Sequence, residues 1–159
     1  MRKNSLIVIF LLIPLVGFTQ NTNVNIYKNI YRYLINNDLK NYKNVSVSNE
    51  IVFIEYSSFI GKDSISKIDS LNELDSRIRF KPYFIHNLNR IIRTKKSLYN
   101  ILYFSEPHNG FLIVDFIHSK RKIVSNYDKT TMFGNLKRYL FEIDNSKVKK
   151  VLVIEMANN

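Results

Sequence analysis

The stretch LYNILYFSEPHNGFLIVDFIH, residues Leu98 to His118, decides how the chain folds. Leu98 to Phe104 alternates at a period of two and reads as a strand. Pro107-His108-Asn109-Gly110 reads as a turn and Phe111 to His118 as the returning strand. Asn-Gly between two apolar runs is a strong hairpin signal, because both residues tolerate the positive φ that tight two-residue turns require.

Downstream, Leu136 to Ile143 and Val148 to Met156 form a second hairpin around Asp144-Asn145-Ser146, after a polar connection over residues 119–132. Upstream, the period lengthens to 3.6. Val24, Tyr27, Ile30, Tyr31, Leu34 and Ile35 recur every three or four residues, one stripe of an amphipathic helix that Asn21, Thr22 or Asn23 can cap. The Asn-rich run to Asn49 ends it, and Ile51 to Tyr56 follows as a strand, with Val52, Ile54 and Tyr56 on one face. Asp63-Ser64 caps a short helix carrying Ile65, Ile68, Leu71 and Leu74. Pro82 suits the first turn of another, with Phe84, Ile85, Leu88, Ile91 and Ile92 as its apolar side. The expected class is α+β: an N-terminal helix, one strand, two short helices, then a four-stranded antiparallel meander with helices on one face.

The first nineteen residues have a different character. Arg2 and Lys3 precede an apolar run of 11 residues, Leu6 to Val16, and then Gly17-Phe18-Thr19-Gln20. That is the three-part layout of an export signal, with cleavage expected between Thr19 and Gln20. Eleven apolar residues are too few to span a bilayer, which takes ~20. With no cysteine at the cut, a lipid anchor is not expected either. The expected product is a soluble periplasmic or secreted protein without a transmembrane anchor, one α+β domain over residues 20–159.

Composition narrows the chemistry. The chain has no Cys, so disulfides and thiolate metal sites are excluded. A domain of this length can bury a core without such staples. Lys and Arg number 24 against 13 Asp and Glu; without Arg2 and Lys3 the excess of cations is 9. A positive surface favours anionic partners such as lipid headgroups or acidic glycans. Heavy use of Asn, Ile and Lys, as an AT-rich genome produces, would also make Lys the default solubilising residue.

The C-terminal half resembles a broad group of small, uncharacterised exported proteins of Bacteroidota. The matching pieces are Leu102 to Pro107, Gly110 to Asp115, Tyr139-Leu140-Phe141-Glu142 and Val151 to Ile154. The signal ending Gly17-Phe18-Thr19-Gln20 is also similar. Where that group has an Asn-Gly-Lys-Trp turn, this chain has Asp144-Asn145-Ser146-Lys147. The resemblance implies export and fold, and no activity. Asp63-Ser64-Ile65 and Asp69-Ser70-Leu71 look like the Asp-Ser-aliphatic O-glycosylation acceptor of the same bacteria. The element order also resembles cone-shaped α+β folds such as the nuclear transport factor 2 superfamily.

Motifs for catalysis are sparse. His86, His108 and His118 have no metal-ligand spacing, so neither metal nor cofactor is expected. Asp115 and His118 fall on opposite faces of their strand, and Ser105 lacks a nucleophile-elbow context. The four glycines are isolated, so there is no phosphate loop. Tyr139 beside Lys137 and Arg138, and the shared face of Tyr99 and Tyr103, are fragments of a nucleic-acid face, but an exported protein seldom meets nucleic acid. Three functions remain. The first is a non-catalytic binding or envelope-interaction module for an anionic component or a protein, using Arg90, Arg93, Lys95, Lys96, Lys120, Arg121 and Lys122. The second is a small cavity-type hydrolase or isomerase in which two strand carboxylates among Glu55, Asp115, Glu142 and Glu155 share a pocket. The third is an immunity or inhibitor protein.

Overall fold

Asn109 and Gly110 both have positive φ (48° and 82°), and His108 and Phe111 exchange two backbone hydrogen bonds of 2.8 Å across them. The turn therefore has the twist that matches its flanking strands, and it sets the register of the sheet. The computed structural model describes residues 24–61, 81–123, 126–132 and 134–156. The expected export signal with its cut between Thr19 and Gln20, the expected caps Asn21 to Asn23 and the helix expected from Asp63 all lie outside the described residues.

A helix, α1 (residues 24–36), is followed by β1 (Ser46–Ile51) and a 3₁₀ turn (Tyr56–Phe59). Next come β2 (Tyr83–Phe84), α2 (Leu88–Ile92), β3 (Asn100–Phe104) and β4 (Phe111–His118). Then α3 (Tyr127–Thr131), β5 (Asn135–Asp144) and β6 (Lys147–Met156) complete the described chain. The class is α+β. One six-stranded mixed sheet runs in the order β2-β1-β3-β4-β5-β6, with β1 parallel to β3 and every other neighbouring pair antiparallel.

The sheet thus has two strands beyond a four-stranded meander. The first strand lies at Ser46–Ile51 rather than Ile51 to Tyr56, although Ser, Asn and Glu are poor strand formers. Tertiary contact overrides propensity there: Val45 and Val47 are buried, and the Ser46 hydroxyl donates to the Asn100 carbonyl at 3.0 Å. Residues 52–56 keep the expected facing, since Val52, Ile54 and Tyr56 are all buried together, but they leave the ladder. The helix expected from Pro82 shrinks to Leu88–Ile92. Tyr83 and Phe84 pair with β1 instead, and Asn87 at φ 58° breaks any helix that would join them to Leu88. The connection over 119–132 contains α3, capped by Asn126, whose side chain accepts from the Lys129 N–H at 3.2 Å.

Cover is not confined to one face. Tyr27, Ile30 and Leu34 of α1 pack with Leu102, Phe104, Leu112, Val114, Phe116 and Phe141 on the first face. Val52 to Phe59 and Tyr127 of α3 pack with Tyr103, Phe111, Ile113, Ile117 and Leu140 on the second. Burial on both sides explains why β4 is apolar at every position but Asp115 and the terminal His118.

In the second hairpin Asn145 (φ 49°) and Ser146 (φ 63°) occupy the left-handed positions. Serine there is strained, whereas glycine is not. Ser146→Gly is expected to stabilise the fold by about 1 kcal/mol, read as a higher urea midpoint; an unchanged or lower midpoint would count against the turn.

Candidate functional site

Asp115 is the one polar side chain inside β4, and it is fully buried (0% exposed). Arg138 faces it from β5, and its Nε and Nη2 donate to the two carboxylate oxygens at 2.8 and 2.9 Å. The Tyr127 hydroxyl donates to Oδ2 at 2.6 Å, and Arg138 Nη1 reaches the Ser58 hydroxyl at 3.0 Å. A bidentate pair with these extra bonds satisfies a buried charge fully. Burial pushes the guanidinium's pKa down, yet the Asp115 hydrogen bonds and charge outweigh it and hold the group above its ordinary value. Burial first, and then the Asp115 charge, push the Tyr127 phenol above its usual range. The cluster ties the 3₁₀ turn, α3, β4 and β5 together. It is a structural pin.

The other carboxylates do not join Asp115. Glu142 lies opposite Phe111, four residues along β4 from Asp115. Glu155 lies opposite Lys137 on the other face, and pairs with its Nζ at 2.6 Å in solvent. Glu55 accepts from the Ser57 hydroxyl at 3.1 Å. The pairing that a carboxylate acid–base site requires is therefore not formed by these four groups. Ser105 Oγ accepts from the Ile113 N–H at 2.9 Å, a local repair of the strand end. Among the described residues no group of three His, Asp or Glu side chains is placed to hold a metal. Tyr103 and Tyr139 are fully buried, so neither can stack on a base.

What the structure does assemble lies where β4 ends. His118, Lys120, Arg121 and Asn135 line a cleft of about 520 Å³. His118 and Asn135 also line a neighbouring one of about 240 Å³, with Tyr42, Phe116, Lys137 and Glu155. Tyr42 packs on the Phe116 ring at 4.7 Å and on the His118 ring at 5.4 Å between centroids. Facing matters here: His118 shares the α1 side of the sheet with Phe116, and Asp115 the opposite side, as strand parity requires.

His118 is held by a chain of hydrogen bonds. The Asn100 amide nitrogen donates to the Asn44 carbonyl at 2.9 Å, which turns Asn100 Oδ1 toward His118 Nδ1, 2.7 Å away. An acceptor at that position places a proton on Nδ1, so that in the neutral ring Nε2 is the nitrogen with the lone pair. Asn100 is itself fixed by Ser97 Oγ at its N–H (2.9 Å) and by Ser46 Oγ at its carbonyl. Nothing in the local sequence around His118 announces this; its partners come from residues 44 and 100.

All seven cations singled out in the sequence are exposed. The Ile123 N–H bonds the Leu98 carbonyl at 2.7 Å and the Ser119 N–H bonds the Tyr99 carbonyl at 2.9 Å. These bonds hold the Lys120-Arg121-Lys122 loop against Leu98 and Tyr99, which follow Lys95 and Lys96 in the chain. Arg90 lies in α2 and Arg93 is its C-cap; α2 packs against β1, nearer the other edge of the sheet. Among the described residues the ion pairs are Lys137–Glu155, Arg138–Asp115 and Lys149–Asp144, so none of the seven has a carboxylate partner there. No helix of the described residues is long and apolar enough to cross a membrane. Comparison of the chain with protein-family models, curated proteins and solved structures gave no match.

Proposed function

We propose that this chain is an exported, non-catalytic binding module that holds an anionic component of the cell envelope at the β4 end of its sheet. One observation carries the reading: Lys120 and Arg121 line an open cleft, and no acid neutralises them among the described residues. Uncompensated cations beside a concavity raise the local concentration of anions. The export signal at Arg2 to Gln20 supports an envelope setting.

The test is retention on phosphatidylglycerol-containing vesicles and on dextran sulfate at rising ionic strength. Retention is expected at low salt and should fall as the screening length drops from ~30 Å at 0.01 M to ~8 Å at 0.15 M. Reversing Lys120, Arg121 and Lys122 to Glu should abolish it. Reversing Lys147, Lys149 and Lys150, at the opposite end of the sheet, should weaken it only slightly. Equal losses from the two triples would mean that total charge matters and the site does not. Sequencing the amino terminus of the exported protein should begin at Gln20; recovery of Met1 would remove the envelope setting.

A further inference from the structure

We infer that the His118 cleft recognises a hydroxyl-bearing anion, an acidic or phosphorylated sugar unit, through His118 Nε2 as a fixed hydrogen-bond acceptor next to Lys120 and Arg121. The inference rests on the anion-binding reading above and deepens it. Cations alone read charge, and any phosphate or carboxylate would satisfy them equally. When the ring is neutral, its Nε2 lone pair adds a demand for a donor, which acetate and a phosphate-monoester dianion lack and sugars carry on nearly every carbon. The Asn44–Asn100–His118 chain is what fixes that lone pair. A ring nitrogen held through a partner at the other nitrogen is the usual device for presenting one tautomer.

The surroundings fit a sugar. The cleft of about 520 Å³ lies within the ordinary range for small-molecule sites. Asn135 offers a second amide there, and in the neighbouring cleft the Tyr42 ring beside His118 offers an apolar wall on which the C–H face of a pyranose can rest. Charged neighbours are Lys120 and Arg121 in the larger cleft, and the Lys137–Glu155 pair, with Asp38 near Lys137, at the smaller one.

Two measurements on the whole protein test this. Long-range proton–nitrogen spectra of the neutral ring should show His118 protonated at Nδ1; protonation at Nε2 would overturn the inference. Titrations at about pH 8 would then compare glucose 6-phosphate with methyl phosphate, both dianions there, and glucuronate with acetate. At least one sugar anion should bind about tenfold more tightly than its hydroxyl-free counterpart, the factor one hydrogen bond supplies, and should shift the His118 resonances. Asn100→Leu, which frees the ring to rotate, should reduce that preference severalfold and mix the tautomers. If sugar anions and simple anions bind alike, hydroxyl recognition is wrong while the anion-binding reading survives. If none of them binds and vesicles and dextran sulfate are not retained at low salt, both are wrong. The two sugar arms separate a phosphate-bearing ligand from a carboxylated glycan.

Discussion

Replacing Arg138 by alanine is expected to lower the unfolding free energy by about 3–5 kcal/mol, a large part of what a domain this size possesses. The loss exceeds that of an ordinary surface ion pair because Asp115 is fully buried and Arg138 only 15% exposed. Without the guanidinium, a carboxylate stays in the apolar interior with only the Tyr127 hydroxyl to stabilise it. The same reasoning predicts rescue. Asp115→Val combined with Arg138→Met removes both charges and fills the space, and should return stability to within about 1 kcal/mol of the parent. Urea unfolding of the parent, the single and the double variant decides the matter. A single-variant loss below about 1 kcal/mol would mean that water reaches the pair and that it behaves as an exposed one.

Alkaline pH should unfold the protein abruptly. Burial is the first cause that pushes the Tyr27, Tyr127 and Tyr139 phenols above their usual range. Nearby groups add to it, Tyr83 for Tyr27, Asp115 for Tyr127 and Asp38 for Tyr139. A raised folded-state value means that the unfolded chain gives up these protons first, at about pH 10. The three phenols therefore add full stability below that pH and progressively less above it. Each contributes a slope of about 1.4 kcal/mol per pH unit, about 4 for the three together. The urea midpoint should be flat through neutral pH and fall steeply from about pH 10. Tyrosinate absorbance should take a late step that coincides with unfolding, because the three buried phenols ionise only as the fold is lost. A single smooth rise with no loss of structure would show that these hydroxyls are in contact with solvent. Tyr127→Phe should reduce the slope by about 1.4 kcal/mol per pH unit.

Local chemistry along the chain was enough for the elements whose partners lie close in sequence. Asn109-Gly110 set its hairpin because both residues take positive φ readily, Asp144-Asn145-Ser146 marked the second as a polar turn between two apolar runs, and Tyr27 to Leu34 showed a helix because its buried stripe is periodic. Strand parity alone separated Asp115 from His118. The short helix capped by Asn126, with Asp128 in its first turn, was concealed by the polar run around it. Ser46 to Glu50 carries no strand signal, since its pairing with β3 and β2 depends on surfaces fifty and thirty residues away. Likewise, the Arg138 partner of Asp115, the Asn100 partner of His118 and the seating of the Lys120 loop on Leu98 and Tyr99 became visible only once the sheet had been assembled. Composition, alternation and turn type are properties of a few neighbouring residues, so the sequence by itself determined the class and the hairpins. Strand order, the two-sided core and the cleft depend on which distant surfaces exclude water together, and that only the tertiary structure decided.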